Sequence, residues 1–197
     1  MLIMTSHADY TSEEWNILCT TPLKVGGAVA ASAPSGVVGN VKETLAITNS
    51  MVNEAHRYTS NQLINEIVPK GINREQVNTL AGMASNLFQQ ADIARTQALD
   101  ACRQACQILK MKSTTQEADE YKQWLLMIGK NVASAANEGA NLLNVGGINV
   151  SPEEVRILDE MASALELPEH LMVGLLTDSS LTNPNPNANP SPGSPGA

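Results

Sequence analysis

Three stretches of the chain place an alanine or another mostly apolar residue alternately three and four positions apart, and this spacing constrains the fold more than any other feature. The stretches run from Val38 to Ala55, from Val77 to Ile108 and from Ala118 to Leu142. An average spacing of about 3.5 residues is typical of helices that pack side by side with interlocking side chains. The sequence therefore predicts an all-α protein.

The predicted architecture is an antiparallel bundle of four main helices, at about 38–57, 74–110, 116–142 and 152–166, with short accessory helices. Thr11 and Glu14 form one capping box, and Ser151 and Glu154 form another. Pro22 suits the first position of a helix, so we expect one short helix after Thr11 and a second over about 22–33. A further short helix is expected near 60–67, ahead of Pro69.

Composition divides the chain into three parts. Residues 1–10 are expected to form a flexible N-terminus, and residues 11–177 to form a single helical-bundle domain. Residues 178–197 are rich in Asn, Pro, Ser and Gly and have no hydrophobic periodicity. Such a segment cannot bury enough apolar surface to fold, so a disordered tail is predicted.

The charge balance excludes several classes of partner. The formal net charge is −8, and only 12 Lys and Arg residues are present, scattered along the chain. This argues against a nucleic acid partner and against an anionic membrane surface. We find no signal peptide pattern and no apolar run of the roughly 20 residues that cross a bilayer. Three cysteines fit a reducing compartment, so a cytoplasmic location is expected.

No catalytic or metal motif stands out. Di-metal helical bundles carry a glutamate three positions before a histidine, but Asn53 precedes His56 and Leu167 precedes His170 at that distance. Three histidines and no nucleophile motif do not assemble a Ser-His-Asp arrangement. We therefore expect no cofactor, no metal and no catalytic residue, and a protein that is not an enzyme.

Cys102 and Cys106 lie one helical turn apart. Two thiols at this spacing could form a redox pair or bind a soft metal, but zinc needs four ligands and no second Cys or His pair is near in sequence. The simpler interpretation is that they are small packing residues beside Ala101 and Ala105.

Small residues cluster at the end of the third predicted helix, and they include Ala136, Gly139 and Ala140. Small side chains allow a neighbouring helix to approach closely. The patch predicts packing within the monomer or, as the alternative, a homodimer contact. Gly146 and Gly147 follow in a turn-like stretch before Ser151. This stretch could hold an anion at the helix N-terminus, but a structural turn is the favoured interpretation.

The end of that stretch resembles the repeat of tellurite-resistance helical domains, through Val150, Ser151 and Glu154. The metal-binding aspartate of that repeat is missing here, and the glycine stands one residue early, at Gly147. The resemblance therefore implies no metal.

Over about residues 11–166 the chain also resembles a group of all-helical bacterial proteins with no assigned activity. The matching motifs, in order, are Thr11-x-Glu-Glu-Trp15, Pro34-Ser-Gly36, Lys42-Glu43, Trp124-Leu-Leu126, Glu138-Gly139, Gly146-Gly147 and Val150-Ser151-x-x-Glu154. This resemblance implies the helical fold and no function.

The sequence thus predicts a non-enzymatic protein that associates with itself or with another protein through Ala- and Gly-rich helix faces. One alternative is a helical carrier of a small ligand or metal. A weaker alternative is a thiol redox protein that uses Cys102 and Cys106.

Overall fold

The computed structural model describes residues 6–32, 41–68, 91–136, 143–145 and 148–167. Among these residues a short 3-10 turn, His7–Asp9, precedes six α-helices. The helices are α1 Ser12–Ser32, α2 Val41–Ala55, α3 Gln62–Ile67, α4 Ala91–Lys112, α5 Thr115–Ala136 and α6 Pro152–Ala164. A two-stranded antiparallel hairpin of β1 Leu143–Val145 and β2 Ile148–Val150 lies between α5 and α6.

The helices form the predicted all-α antiparallel bundle. α1 packs most extensively against α4, and α2 packs against α5. The start of α1 meets the end of α4, where the Lys112 ammonium contacts the Glu14 carboxylate at 2.6 Å. The end of α2 likewise meets the first half of α5, because the Trp124 indole donates to the Met51 carbonyl at 3.1 Å. The all-α fold class is therefore confirmed.

The predicted break at Pro22 is wrong, because α1 continues through this proline as one helix. Proline has no N–H, so it cannot donate to the carbonyl four residues earlier, which belongs to Leu18. The Tyr121 hydroxyl from α5 donates to that carbonyl instead, at 2.7 Å. Both Leu18 and Tyr121 are fully buried. The bond from another helix therefore satisfies the group that the proline leaves open, and α1 becomes a main helix of the bundle.

The buried face of α2 is rotated slightly from its predicted stripe of Leu45, Thr48, Val52 and Ala55, of which Thr48 and Ala55 are buried. Leu45 is 37% exposed and Val52 is only partly buried, whereas Ile47 and Met51 lie in the core. The rotation also buries Glu54, whose carboxylate accepts from the Asn131 amide at 2.8 Å. Polar contacts with α5 therefore help to decide which side of α2 faces inward.

The two capping boxes predicted at Thr11 and Ser151 are confirmed. The Thr11 amide donates to the Glu14 carboxylate at 2.7 Å, and the Glu14 amide donates to the Thr11 hydroxyl at 3.2 Å. Ser151 and Glu154 make the same reciprocal pair at the start of α6. Each pair satisfies two backbone donors that a helix start leaves without partners.

Two glycines permit close contact between helices. A Cβ atom on Gly26 of α1 would lie 2.8 Å from Cγ1 and from Cγ2 of Ile47 on α2. A Cβ atom on Gly129 of α5 would lie 2.8 Å from Cδ2 of Leu158 on α6. Because the core is rich in alanine, each side chain buries little area, and such close approach compensates for it.

Tyr10 is the last residue of the predicted N-terminal segment, and it contacts the bundle. Tyr10 is buried, and its hydroxyl lies 2.8 Å from the Ser113 hydroxyl at the α4–α5 turn. Tyr10 therefore packs against the helices of the bundle. Residues 1–5, the helical segment predicted at 74–90, and the tail at 178–197 lie outside the described residues.

The described helices do not include a membrane span. None of them combines the length and the apolar character that a span requires.

Candidate functional site

Cys102 and Cys106 lie together on the inner face of α4, and both are buried. The Cys106 thiol lies 3.6 Å from the Leu165 carbonyl, to which it donates. Burial raises the pKa of the Cys102 thiol to about 12. Since the thiolate is the reactive form, this environment suits packing and disfavours redox chemistry at Cys102.

The third cysteine, Cys19 on α1, is only half-buried. Burial raises its pKa to about 11. Within the described residues, no group of three or more His, Cys, Asp or Glu side chains is placed to hold a metal ion.

The alanines on the inner face of α4 are buried in the core of the bundle. Ala94, Ala98 and Ala105 belong to the main core cluster, together with the buried apolar residues of α1. Ala101 is also buried. This part of the predicted Ala-rich face is therefore covered by the chain's own helices.

The small-residue patch at the end of α5 is described only in part. Ala133 is buried, whereas Ser134 and Ala135 are exposed. Ala136 ends α5, and its side chain lies outside the described residues, as do Gly139 and Ala140. Gly146 and Gly147 lie outside them too, between two described strands.

Several buried polar groups hold helices together. Asn61 caps α3 by accepting from the Ile64 amide at 3.0 Å, and its side-chain amide donates to the Glu117 carbonyl at 3.1 Å and to the Glu120 carboxylate at 2.9 Å. Glu54 pairs with Arg57 and accepts from Asn131. These contacts have structural roles.

An open groove lies on the surface between α4 and α6. Its volume is about 550 Å³, and it adjoins a second open hollow of about 320 Å³ along α4. The two hollows share Arg95, Leu99 and Arg103. We call the combined feature the α4–α6 groove; its other lining residues are Asp92, Thr96, Arg156, Asp159, Glu160, Ser163 and Ala164.

Helical spacing explains how these residues meet. Arg95, Leu99 and Arg103 are four residues apart on α4 and so share one face, while Arg156 and Glu160 share a face of α6. The Arg95 guanidinium joins the two faces through both of its bonds to the Glu160 carboxylate, one of them at 2.6 Å from Nε. This ion pair fixes one wall of the groove.

The other two arginines are less constrained. Arg103 pairs at 2.8 Å with Asp100 of its own helix, and both side chains are more than half exposed. The Arg156 side chain is exposed, and its guanidinium makes no hydrogen bond or ion pair with any residue that the structure describes. Asp159 is half-buried beside them, and burial and then the nearby Glu160 raise the pKa of its carboxyl group. The groove thus places the guanidinium groups of Arg103 and Arg156 beside the carboxylates of Asp92 and Asp159, so it offers both donors and acceptors to a partner.

This groove was not predicted from the sequence. The signal was present, since three of the chain's five arginines (57, 74, 95, 103 and 156) line it. Each helical stripe can be read from its spacing, but the sequence does not show that the two stripes face each other.

Comparison of the chain with protein-family models, with curated proteins and with solved structures gives no match. The chain is an all-helical protein without a recognised family. Any function must therefore be inferred from the fold and the surface.

Proposed function

We propose that the protein is a non-enzymatic helical bundle that acts by binding another protein. The observation that carries this proposal is the α4–α6 groove, where three arginines and three carboxylates line one surface of an acidic chain. Arginine binds carboxylates through a planar fork of donors and is enriched at protein interfaces.

The interior gives its buried polar groups structural roles. Buried polar side chains such as Tyr121, Trp124 and Asn61 donate to backbone carbonyls of neighbouring helices. Cys102 is buried with a raised pKa, so the thiol redox alternative has less support than an interaction role. A cytoplasmic location and membership of an all-helical bacterial group are further parts of this proposal.

The second candidate mode of interaction is self-association through the small-residue patch at the end of α5. Ser134 and Ala135 are exposed at the end of α5 and lead directly into the residues predicted as a homodimer contact, Ala136, Gly139 and Ala140. Exposed small side chains would allow a helix of a second copy to approach closely. The buried alanines of α4 are excluded from this role.

Native mass spectrometry of the full chain, purified gently at low salt from its own host, tests the proposal. A second polypeptide in the complex, or a defined homo-oligomer, is the expected result. A monomer that carries the extra mass of a metal or small molecule would favour the carrier alternative. A monomer without added mass would contradict an interaction role.

A further inference from the structure

We infer that the segment Ser6–Tyr10, which we call the N-terminal strap, is a pH-sensitive device that ties the start of α1 to α3 and α4. A positively charged His7 imidazole holds the strap more tightly against Trp15 of α1, and a neutral imidazole holds it less tightly. The inference depends on how the strap is anchored, on the ring contact of His7 and on the charges around it.

The two ends of the strap are anchored differently. At one end Tyr10 is buried, and its hydroxyl lies 2.8 Å from the Ser113 hydroxyl. At the other end the His7 amide donates to the Glu66 carboxylate of α3 at 2.7 Å, and the His7 side chain is exposed. Exposed segments with few buried contacts open locally at low cost. The His7 end can therefore open while the Tyr10 end stays in place.

The contact that closes the exposed end is between two rings. The centroid of the His7 imidazole lies 4.5 Å from that of the Trp15 ring, and the two planes are tilted by 48°. Trp15 packs against the core cluster, so it offers a fixed surface. A cation within about 6 Å of an aromatic centroid is attracted to the ring, and tryptophan attracts it most strongly. Protonation of the imidazole therefore adds a cation–π attraction to an existing contact.

The charged groups that anchor the strap are negative on balance. Its own Asp9 accepts from the Ser6 amide at 2.7 Å, and Glu66 of α3 accepts from the His7 amide. The Lys112 ammonium of α4 donates to the Asp9 carbonyl at 3.0 Å, but it is also paired with the Glu14 carboxylate of α1 at 2.6 Å. Three carboxylates thus stand against one ammonium, and a positive charge on the strap adds attraction.

The pH range follows from the chemistry of the side chains. Histidine is the side chain whose charge ordinarily changes between about pH 5 and 8. Carboxylates and lysine ammonium groups ordinarily keep their charge over this range. Acidification within it should therefore close the strap over Trp15, and a rise in pH should loosen it.

A double-mutant cycle at two pH values tests the inference. Wild type, His7→Gln, Trp15→Leu and the double variant of the full chain are unfolded in urea at pH 5.5 and at pH 8. The coupling between the two positions, expressed as a factor in the unfolding constant, should be about two- to fivefold larger at pH 5.5, which is the range for an exposed cation–π contact.

His56→Gln supplies the matched control. His56 is also exposed, and it has no ring contact within the part of the chain that the structure describes. Its coupling to Trp15→Leu should be the same at both pH values. In a separate measurement on the folded wild type, the NMR signal of the Trp15 indole N–H should move between pH 5 and 8, and His7→Gln should abolish the movement.

Three results would overturn the inference. One is a coupling between His7 and Trp15 that is equal at the two pH values or larger at pH 8. The second is an equal pH dependence in the His56 cycle, which would show a general effect of charge. The third is a Trp15 signal that is unmoved by pH or that moves equally in His7→Gln; this measurement needs no unfolding and remains decisive if a Trp15 variant does not fold.

Discussion

Replacement of Tyr121 by phenylalanine should destabilise the protein, because it removes a hydrogen bond to the Leu18 carbonyl on α1. The Leu18 carbonyl cannot receive a bond from Pro22, and the Tyr121 hydroxyl donates to it at 2.7 Å. Both residues that form this bond are fully buried. Phenylalanine would leave the carbonyl without its observed partner, away from water, which costs about 1–3 kcal/mol.

Pro22→Ala provides the matched background. Alanine restores an N–H that can donate to the Leu18 carbonyl within α1. In this background Tyr121→Phe should cost only about 0.5–1 kcal/mol, since the carbonyl keeps a partner. The two changes should therefore couple by about 0.5–2 kcal/mol.

Urea unfolding of the four proteins, followed by circular dichroism, measures this coupling. The slopes of the transitions should agree, so that the midpoints report stability. Equal costs of Tyr121→Phe in the two backgrounds would refute the explanation of the continuous α1. A cost below about 0.5 kcal/mol in the wild-type background would refute it as well.

Three other perturbations test separate parts of the structure. Gly26→Ala should destabilise the protein by about 2 kcal/mol, because overpacking against the stiff Ile47 side chain costs about 3 kcal/mol and the higher helix propensity of alanine offsets about 1 kcal/mol. Thermal melting measures this change. A raised melting temperature would show that α1 and α2 can move apart enough to accept the methyl group. Burial raises the pKa of Cys102 to about 12, so about one molecule in ten thousand should carry the thiolate at pH 8. A disulfide reagent should therefore label Cys102 only after the protein unfolds. Rapid labelling of the native protein, detected by mass spectrometry, would contradict the buried environment. The Lys112 ammonium lowers the pKa of Glu14 from its ordinary value of 4.5. This pair therefore stabilises the fold above pH 4.5, and its contribution disappears as the pH falls through the lowered folded-state pKa. Glu14→Gln should flatten the acid side of a plot of melting temperature against pH, and an unchanged acid side would exclude a contribution from the pair.

The sequence predicted the helical class and several local features because they depend on neighbouring residues. The inner face of α4 follows from Ala94, Ala98 and Ala105 at helical spacing, since only one side of the helix can bury them. The capping boxes of α1 and α6 depend on residues three positions apart. Local patterns of this kind survive in the folded protein.

Features that depend on two distant segments could not be predicted in this way. The continuity of α1 at Pro22 requires a hydroxyl from α5, and the rotation of α2 is accompanied by bonds from Trp124 and Asn131. The groove requires Arg103 and Arg156 to lie on facing helices. Neither the spacing nor the composition of one segment shows which residues of a distant segment it will contact.

Site-specific photo-crosslinking in the host tests whether the α4–α6 groove binds another polypeptide. A photoreactive residue at Ser163, which is exposed in the groove, is compared with one at Gln104, which is exposed on α4 and does not line the groove. Binding in the groove predicts an adduct with another polypeptide from position 163 that is lost when Arg103 and Arg156 are changed to glutamine. No adduct, equal adducts from both positions, or an adduct that survives loss of the arginines would contradict binding there.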